Sequence, residues 1–194
     1  MDAADALTRA TGVWLDRVRE VKPDQWASPT PCQKWDVRAL VNHVVAEQRW
    51  IPPLVAGSTI AEVGDRFDGD VLGADPLAVA EEAAAESVHA APAPVAEGRI
   101  VHLSFGDVPA AEYAWGIAAD LLIHGWDLAA ATGSDRGLDP ALTDAVAQWF
   151  AAMEDAYRAG EQIAPRPGIP AADPQSRLLV SFGRDPGWVP AGEG

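Results

Sequence analysis

The sequence predicts an all-α protein, a bundle of helices joined by long connections. Apolar residues recur at three- and four-residue spacing over long segments. Helix starts of the Asp-Pro kind precede two of those segments, at 75–76 and 139–140. Only two short stretches, 99–105 and 177–182, read as extended.

In chain order, residues 3–21 form the first helix, with Leu7, Ala10, Trp14, Val18 and Val21 on one side and Pro23 beyond its end. Residues 26–35, WASPTPCQKW, are held extended or turned by two prolines and bracketed by two tryptophans. Asp36 caps a helix from Val37 to Ile51, which is expected to stop before Pro52 and Pro53. Its inward face carries Val37, Leu40, Val44 and Ile51, with Glu47 in the middle and His43 on the edge. Residues 54–75, rich in Gly and Asp, read as a long crossover. The spacing of DRFDGD lacks the ligand series of a calcium loop. A helix over 76–90 follows, then an Ala/Pro linker over 91–98 and an extended run RIVHLSF over 99–105. Asp107 and Pro109 open the helix that includes 113–133. Gly133 fits its C-cap. Leu142, Val146, Trp149, Phe150, Met153 and Tyr157 give a packing stripe to the next helix. Residues 160–175 read as loop, 177–182 (RLLVSF) as a short extended run, and the tail from about 160 is expected to pack back on the bundle within a single domain.

The 113–133 segment is apolar nearly all round, as helices inside proteins are. At about 100° per residue, Tyr113, Gly116, Asp120, His124 and Asp127 share one narrow polar stripe. Such a stripe fits a solvent-facing side; it also fits a buried site. A buried carboxylate and imidazole need partners, because burying even a neutral polar group unpaired costs roughly 2–7 kcal/mol. One partner that satisfies both is a divalent metal. His43 and Glu47, also four residues apart, repeat the pattern on another helix. A glutamate at that position also fits a solvent-facing helix end, or pairing with Arg49. Three protein ligands and an open position characterise catalytic zinc, and His43, Asp120 and His124 would supply them. Glu47 or Asp127 would orient a ligand or move a proton beside the metal. Such nitrogen and oxygen donors suit zinc, and also nickel, iron or cobalt. An open metal position ionises either a water or a thiol, and the ligand set does not choose between them.

Composition narrows the chemistry. The 194 residues include 48% hydrophobic ones, enough for a core. The formal net charge is −15, and the 14 Lys and Arg are scattered, which disfavours nucleic acid. No run approaches the roughly 18 apolar residues of a membrane span. The acidic N-terminal stretch lacks a signal pattern, so a cytoplasmic location is expected. The single cysteine, Cys32, excludes an intrachain disulfide and a multi-cysteine zinc site. It reads as a buried inert side chain more readily than as a reactive thiol. Eight tryptophans allow some to line a ligand pocket. Nucleophile-elbow, P-loop and dinucleotide-binding glycine motifs are absent.

PTPCQKWDVRALVNHVV, followed by AADLLIHGWDLAAATG, resembles the mycothiol-dependent maleylpyruvate isomerase-like family of actinobacteria, within the DinB-like superfamily. The first stretch is similar to the family's Pro-Thr-Pro-Cys-x-x-Trp-x-x-x-x-Leu-x-x-His, and the second to its acid-x-x-x-His-Gly-Trp-Asp-Leu. The resemblance implies a DinB-like four-helix bundle of up-down-down-up topology, with a short C-terminal helix, an extended tail and a metal at its centre. It implies His43, Asp120 and His124 as metal ligands, with mycothiol bound at the open position as a thiolate. Aspartate stands at Asp120 where the isomerase carries glutamate, one methylene longer. The chain is shorter than the isomerase and is expected to lack its separate C-terminal domain. The expected activity is a metal- and thiol-dependent transferase or isomerase acting on a small-molecule electrophile; from its place on the α-helical face beside His43, Glu47 is the candidate catalytic group. The other readings are a non-catalytic ligand-binding or stress-response protein and a metal-dependent hydrolase. A monomer and a homodimer fit the sequence equally.

Overall fold

The computed structural model describes residues 1–190; the last four residues of the expected tail, 191–194, lie outside it. Helix α1 spans Ala3–Arg19, and its first turn is closed by Asp2, whose carboxylate accepts from the Asp5 N–H at 2.8 Å. Its buried face carries Leu7, Ala10, Trp14 and Val18; Val21, the last of the periodic set read from the sequence, lies beyond the helix end.

Helix α2 spans Val37–Val55, capped by Asp36 on the Ala39 N–H. It does not stop before Pro52. Proline's fixed φ suits a helix, and what each proline costs is one backbone hydrogen bond and crowding of the preceding turn, about 3 kcal/mol in a helix interior. Two further apolar side chains follow, Leu54 at 1% and Val55 at 4% exposure. Burying each contributes about 1.5–3 kcal/mol, which offsets the loss in this last turn.

The 54–75 connection is not wholly loop. It holds a short helix α3, Ile60–Val63, built on a capping box in which Thr59 and Glu62 each bind the other's backbone N–H. Side chains of α2 pin the rest. Asn42 donates to Gly69 O and accepts from the Val71 N–H, both at 2.8 Å, and Arg38 reaches Asp70 at 2.8 Å.

Helix α4, Pro76–Ala90, starts on the Asp75 cap as expected. The Ala/Pro linker instead holds a short helix α5, Pro92–Ala96. Strand β1, Ile100–Leu103, pairs antiparallel with β2, Gly106–Pro109, in a hairpin where the sequence showed only one extended run. Asp107 and Pro109 therefore belong to the second strand, and helix α6 begins just after, at Ala110–Thr132. Gly133 closes α6 with φ of 73°, a left-handed turn that glycine takes without strain.

Helix α7 spans Pro140–Ala159. The run 177–182, expected to be extended, lies mostly in helix α8, Pro174–Ser181, capped by Asp173 on the Ser176 N–H at 2.9 Å. A three-residue apolar run such as 178–180 cannot separate strand from helix by itself. The Asp-Pro start decides it, and Leu178 and Leu179 are then buried.

Helix α6 packs against α1, α2 and α7, and α4 packs against α1 and α2. This surround explains why α6 is apolar on nearly every side. Among the described residues, no helix is long and apolar enough to cross a membrane.

The C-terminal segment is clamped to α7 through Glu154. Its carboxylate pairs with Arg166 and with Arg158, the latter at 2.7 Å, and Arg158 also donates to Ala164 O and Ser181 O at 3.0 and 2.5 Å. The hydrogen bond from Arg166, against a smaller opposing effect of burial and helped by Arg158, holds the carboxyl at about 2, below its usual 4.5. A depressed carboxyl stabilises the fold fully above its unfolded value and loses that stabilisation as pH falls through the folded one. The clamp is therefore expected to weaken between about pH 4.5 and 2. Glu154→Gln should lower the melting temperature at neutral pH by a few degrees and flatten its dependence on pH in that window. Identical acid slopes for the two proteins in thermal melts would show that the clamp is not acid-sensitive.

Candidate metal centre

The polar stripe of α6 faces inward. Asp127 is fully buried and His124 is 5% exposed, so the solvent-facing alternative does not hold. The α2 residues foreseen opposite it arrive there as well. One ligand atom each from His43, Asp120 and His124 lie within 4.8 Å of one another. His124 Nε2 lies 3.3 Å from Asp120 Oδ1, and His43 Nε2 lies 3.5 Å from Asp120 Oδ2. The two imidazoles meet edge to face, with centroids 5.3 Å apart.

Asp120 sits at the hinge of this cluster. Its side chain is a third exposed, yet Oδ2 is out of contact with solvent and has no hydrogen-bond partner. A buried carboxylate oxygen without a partner costs energy, on the order of 1–3 kcal/mol or more. Burial pushes the Asp120 carboxyl up, but His124 and then His43 overturn this and hold it well below the usual carboxylate range. Burial likewise pushes His124 down, and the Asp120 and Asp127 carboxylates reverse the shift and raise it to about 9.

The other ring nitrogen of His124 is fixed from behind. Nδ1 lies 2.9 Å from Asp127 Oδ2. A hydrogen bond there leaves Nε2 facing Asp120 and His43. Asp127 is in turn held by Arg184, whose Nε reaches Oδ1 at 3.0 Å and whose Nη2 reaches Oδ2 at 2.7 Å. Burial pushes the Asp127 carboxyl up, but His124 and Arg184 keep it below its usual value. Arg184 comes from the tail just after α8, 57 residues away. Nothing in the sequence pairs it with Asp127; it stands in an aperiodic GRDPGW stretch.

The segment before α2 supplies a lid of another kind. The Thr30 hydroxyl donates to Trp35 O at 2.8 Å and accepts from the Cys32 N–H at 3.2 Å, which ties 30–35 into a turn. Trp35 is thereby laid over His43, centroids 4.4 Å apart, and near His124 at 5.6 Å. Its bracketing position was visible in the sequence, but not its stacking on both rings. Cys32 is half-buried against the core. Burial pushes its thiol up, only partly opposed by the nearby Arg184.

Glu47 is on α2 one turn beyond His43, outside the three-residue cluster. Burial and then the Asp120 charge push its carboxyl up, while His43 and His124 pull the other way. Arg49 does not pair with it; Arg49 approaches Glu82 at 3.6 Å. A cavity of about 80 Å³ adjoins Asp120 and His124, with Gly116, Tyr157, Gln162 and Arg184 also in its wall. Tyr157 read as packing alone in the sequence. A larger groove of about 540 Å³ beside α7 and α8 contains none of the cluster residues.

The family model for the mycothiol maleylpyruvate isomerase N-terminal domain matches residues 7–129. The chain belongs to that family. The match takes in Trp35, His43, Glu47, Asp120, His124 and Asp127, and ends before Tyr157 and Arg184. Two uncharacterized proteins of Mycobacterium tuberculosis, from strains CDC 1551 and H37Rv, are each 35% identical over 189 residues, spanning 94% of this chain and 97% of their own. No solved structure matches the chain.

Proposed function

We propose that the protein is a metal-dependent small-molecule transferase or isomerase that uses mycothiol, on a DinB-like four-helix bundle made by α1, α2, α4 and α6. The single observation that carries this reading is the buried, unpartnered Asp120 Oδ2 facing His43, with His124 Nε2 on the other oxygen. Two imidazole nitrogens and a carboxylate converging within 4.8 Å fit a divalent cation, zinc first among N/O-binding metals, with nickel or iron as alternatives. His43, Asp120 and His124 would hold it. A bound cation supplies a position at which a thiol ionises near neutral pH.

This chain's own residues do the rest. Asp127 fixes the tautomer and direction of His124, and Arg184 fixes Asp127. Trp35 covers the His43 ring and keeps water from that side. Glu47, its carboxyl raised by burial, stands within the charge field of the cluster and is the candidate to pass a proton to or from a small electrophile. The aspartate at 120 is within reach of both imidazoles despite being shorter than glutamate.

Cobalt-substituted protein titrated with mycothiol tests the reading. A new intense sulfur-to-metal absorption, saturating at one thiol per chain, is expected. A cobalt spectrum that mycothiol leaves unchanged would reject the thiol chemistry and leave a water-based hydrolase or a binding protein.

A further inference from the structure

Tyr157, from the last turns of α7, stands outside the residues the proposed chemistry uses, yet its side chain lines the cavity beside Asp120 and His124. Its hydroxyl lies against bare backbone. A Cβ at Gly116 would sit 2.9 Å from Tyr157 Oη, closer than real carbon contacts allow. Gly116 and Asp120 are four apart on α6, so they share one face a turn apart. Glycine at 116 thus lets the phenol approach α6 one turn from the carboxylate.

The ring is held in that direction. Trp149 and Phe150 meet it edge to face, at centroid distances of 5.9 and 5.7 Å and interplanar angles of 89° and 84°. Phe150 is itself stacked on Phe182 at 4.0 Å. Gln162 joins the same wall, its N–H donating to Tyr157 O at 2.9 Å. Burial first, then the charges of Asp120 and Glu112, push the phenol up to about 12, so it remains a donor at neutral pH.

We propose that Tyr157 is a positioning residue whose hydroxyl donates a hydrogen bond to a carbonyl oxygen of the small molecule occupying this cavity. The inference rests on the reading of the cavity as the substrate pocket. The wall chemistry selects the ligand class. The Arg184 guanidinium in the wall is already engaged by Asp127 and Phe182 O, so it is not left free to pair a carboxylate ligand. Tyr157 remains as a neutral donor, which suits a neutral acceptor. At about 80 Å³ the cavity is small and suits a compact carbonyl group.

The chain has two tyrosines, so 3-fluorotyrosine labelling yields two fluorine resonances, assigned with Tyr157→Phe. Metal-loaded protein of measured metal content is titrated with acetamide as the neutral carbonyl probe. The Tyr157 resonance should shift saturably while that of Tyr113 stays put. Acetamide affinity, read from ligand-observed NMR, should fall about tenfold in Tyr157→Phe, the loss of one hydrogen bond, with unchanged melting temperature and metal content. Gly116→Ala, which drives the phenol off α6, should weaken acetamide to a similar extent. Unmoved Tyr157 fluorine, or equal affinity in wild type and Tyr157→Phe, would overturn the proposal. Metal and mycothiol titrations on the same preparations separate its failure from failure of the metal–thiol reading, since acetamide and Tyr157 report on the cavity alone.

Discussion

Arg184→Met is expected to destabilise the metal-free protein by about 3–5 kcal/mol, the usual cost of removing one partner from a buried ion pair. Arg184 is 11% exposed and Asp127 is fully buried. The guanidinium makes paired hydrogen bonds to both carboxylate oxygens and a further one to Phe182 O at 3.1 Å. Methionine keeps most of the side-chain volume, so the loss reads mainly the stranded charge. His124 Nδ1 then remains as the support for a carboxylate with no access to water. At roughly 2–4 °C per kcal/mol for a chain of this size, the melting temperature should fall by about 6–20 °C. Asp127→Asn combined with Arg184→Met should recover part of that loss, because it removes the stranded charge. A double-mutant cycle in chelator-treated protein gives the coupling. Additive single effects would show that the pair does not act as a unit.

The second large effect is on metal content. His124→Ala should lower affinity by more than about 100-fold, since losing even an outer partner of a histidine ligand typically costs about 10–100-fold. Asp120→Asn should also fall sharply, while Asp127→Asn should lose about 10–100-fold by releasing the tautomer that aims Nε2 at Asp120. Glu47→Gln should keep its metal, because Glu47 lies outside the three-residue cluster. Elemental analysis after zinc or nickel loading reads all four, with circular dichroism to confirm that each is folded. Wild-type protein that takes up no metal, or His124→Ala that holds as much as wild type, would reject the three-ligand site.

The local chemistry was legible before the fold. Asp at 36, 75 and 139 caps the helix it precedes, because a carboxylate next to free N–H groups needs nothing from the rest of the chain; Asp173 does the same for α8, where the sequence reads as an extended run. The helical period of 113–133 and the four-residue spacing of His43 with Glu47 and of Asp120 with His124 are likewise local. They placed the cluster residues on the right faces. Where the sequence misled, two local signals competed and packing chose between them. Pro52 argued for a helix end, while Leu54 and Val55 had core to fill. The run RLLV suited a strand as well as a helix until α8 found α7 to lie against.

The sequence by itself determined the five long helices α1, α2, α4, α6 and α7, the Asp caps of α2, α4 and α7, and which side of α2 and α6 carries imidazole and carboxylate. The tertiary structure alone decided that the α6 stripe is buried rather than wet. It also brought in Arg184 from 57 residues away to hold Asp127, laid Trp35 over two imidazoles, and set the Tyr157 hydroxyl against Gly116. The reason is physical. Period and capping depend on neighbours within one turn, whereas charge pairing, ring stacking and close approach to a glycine depend on which distant segments share a boundary once α6 has been surrounded.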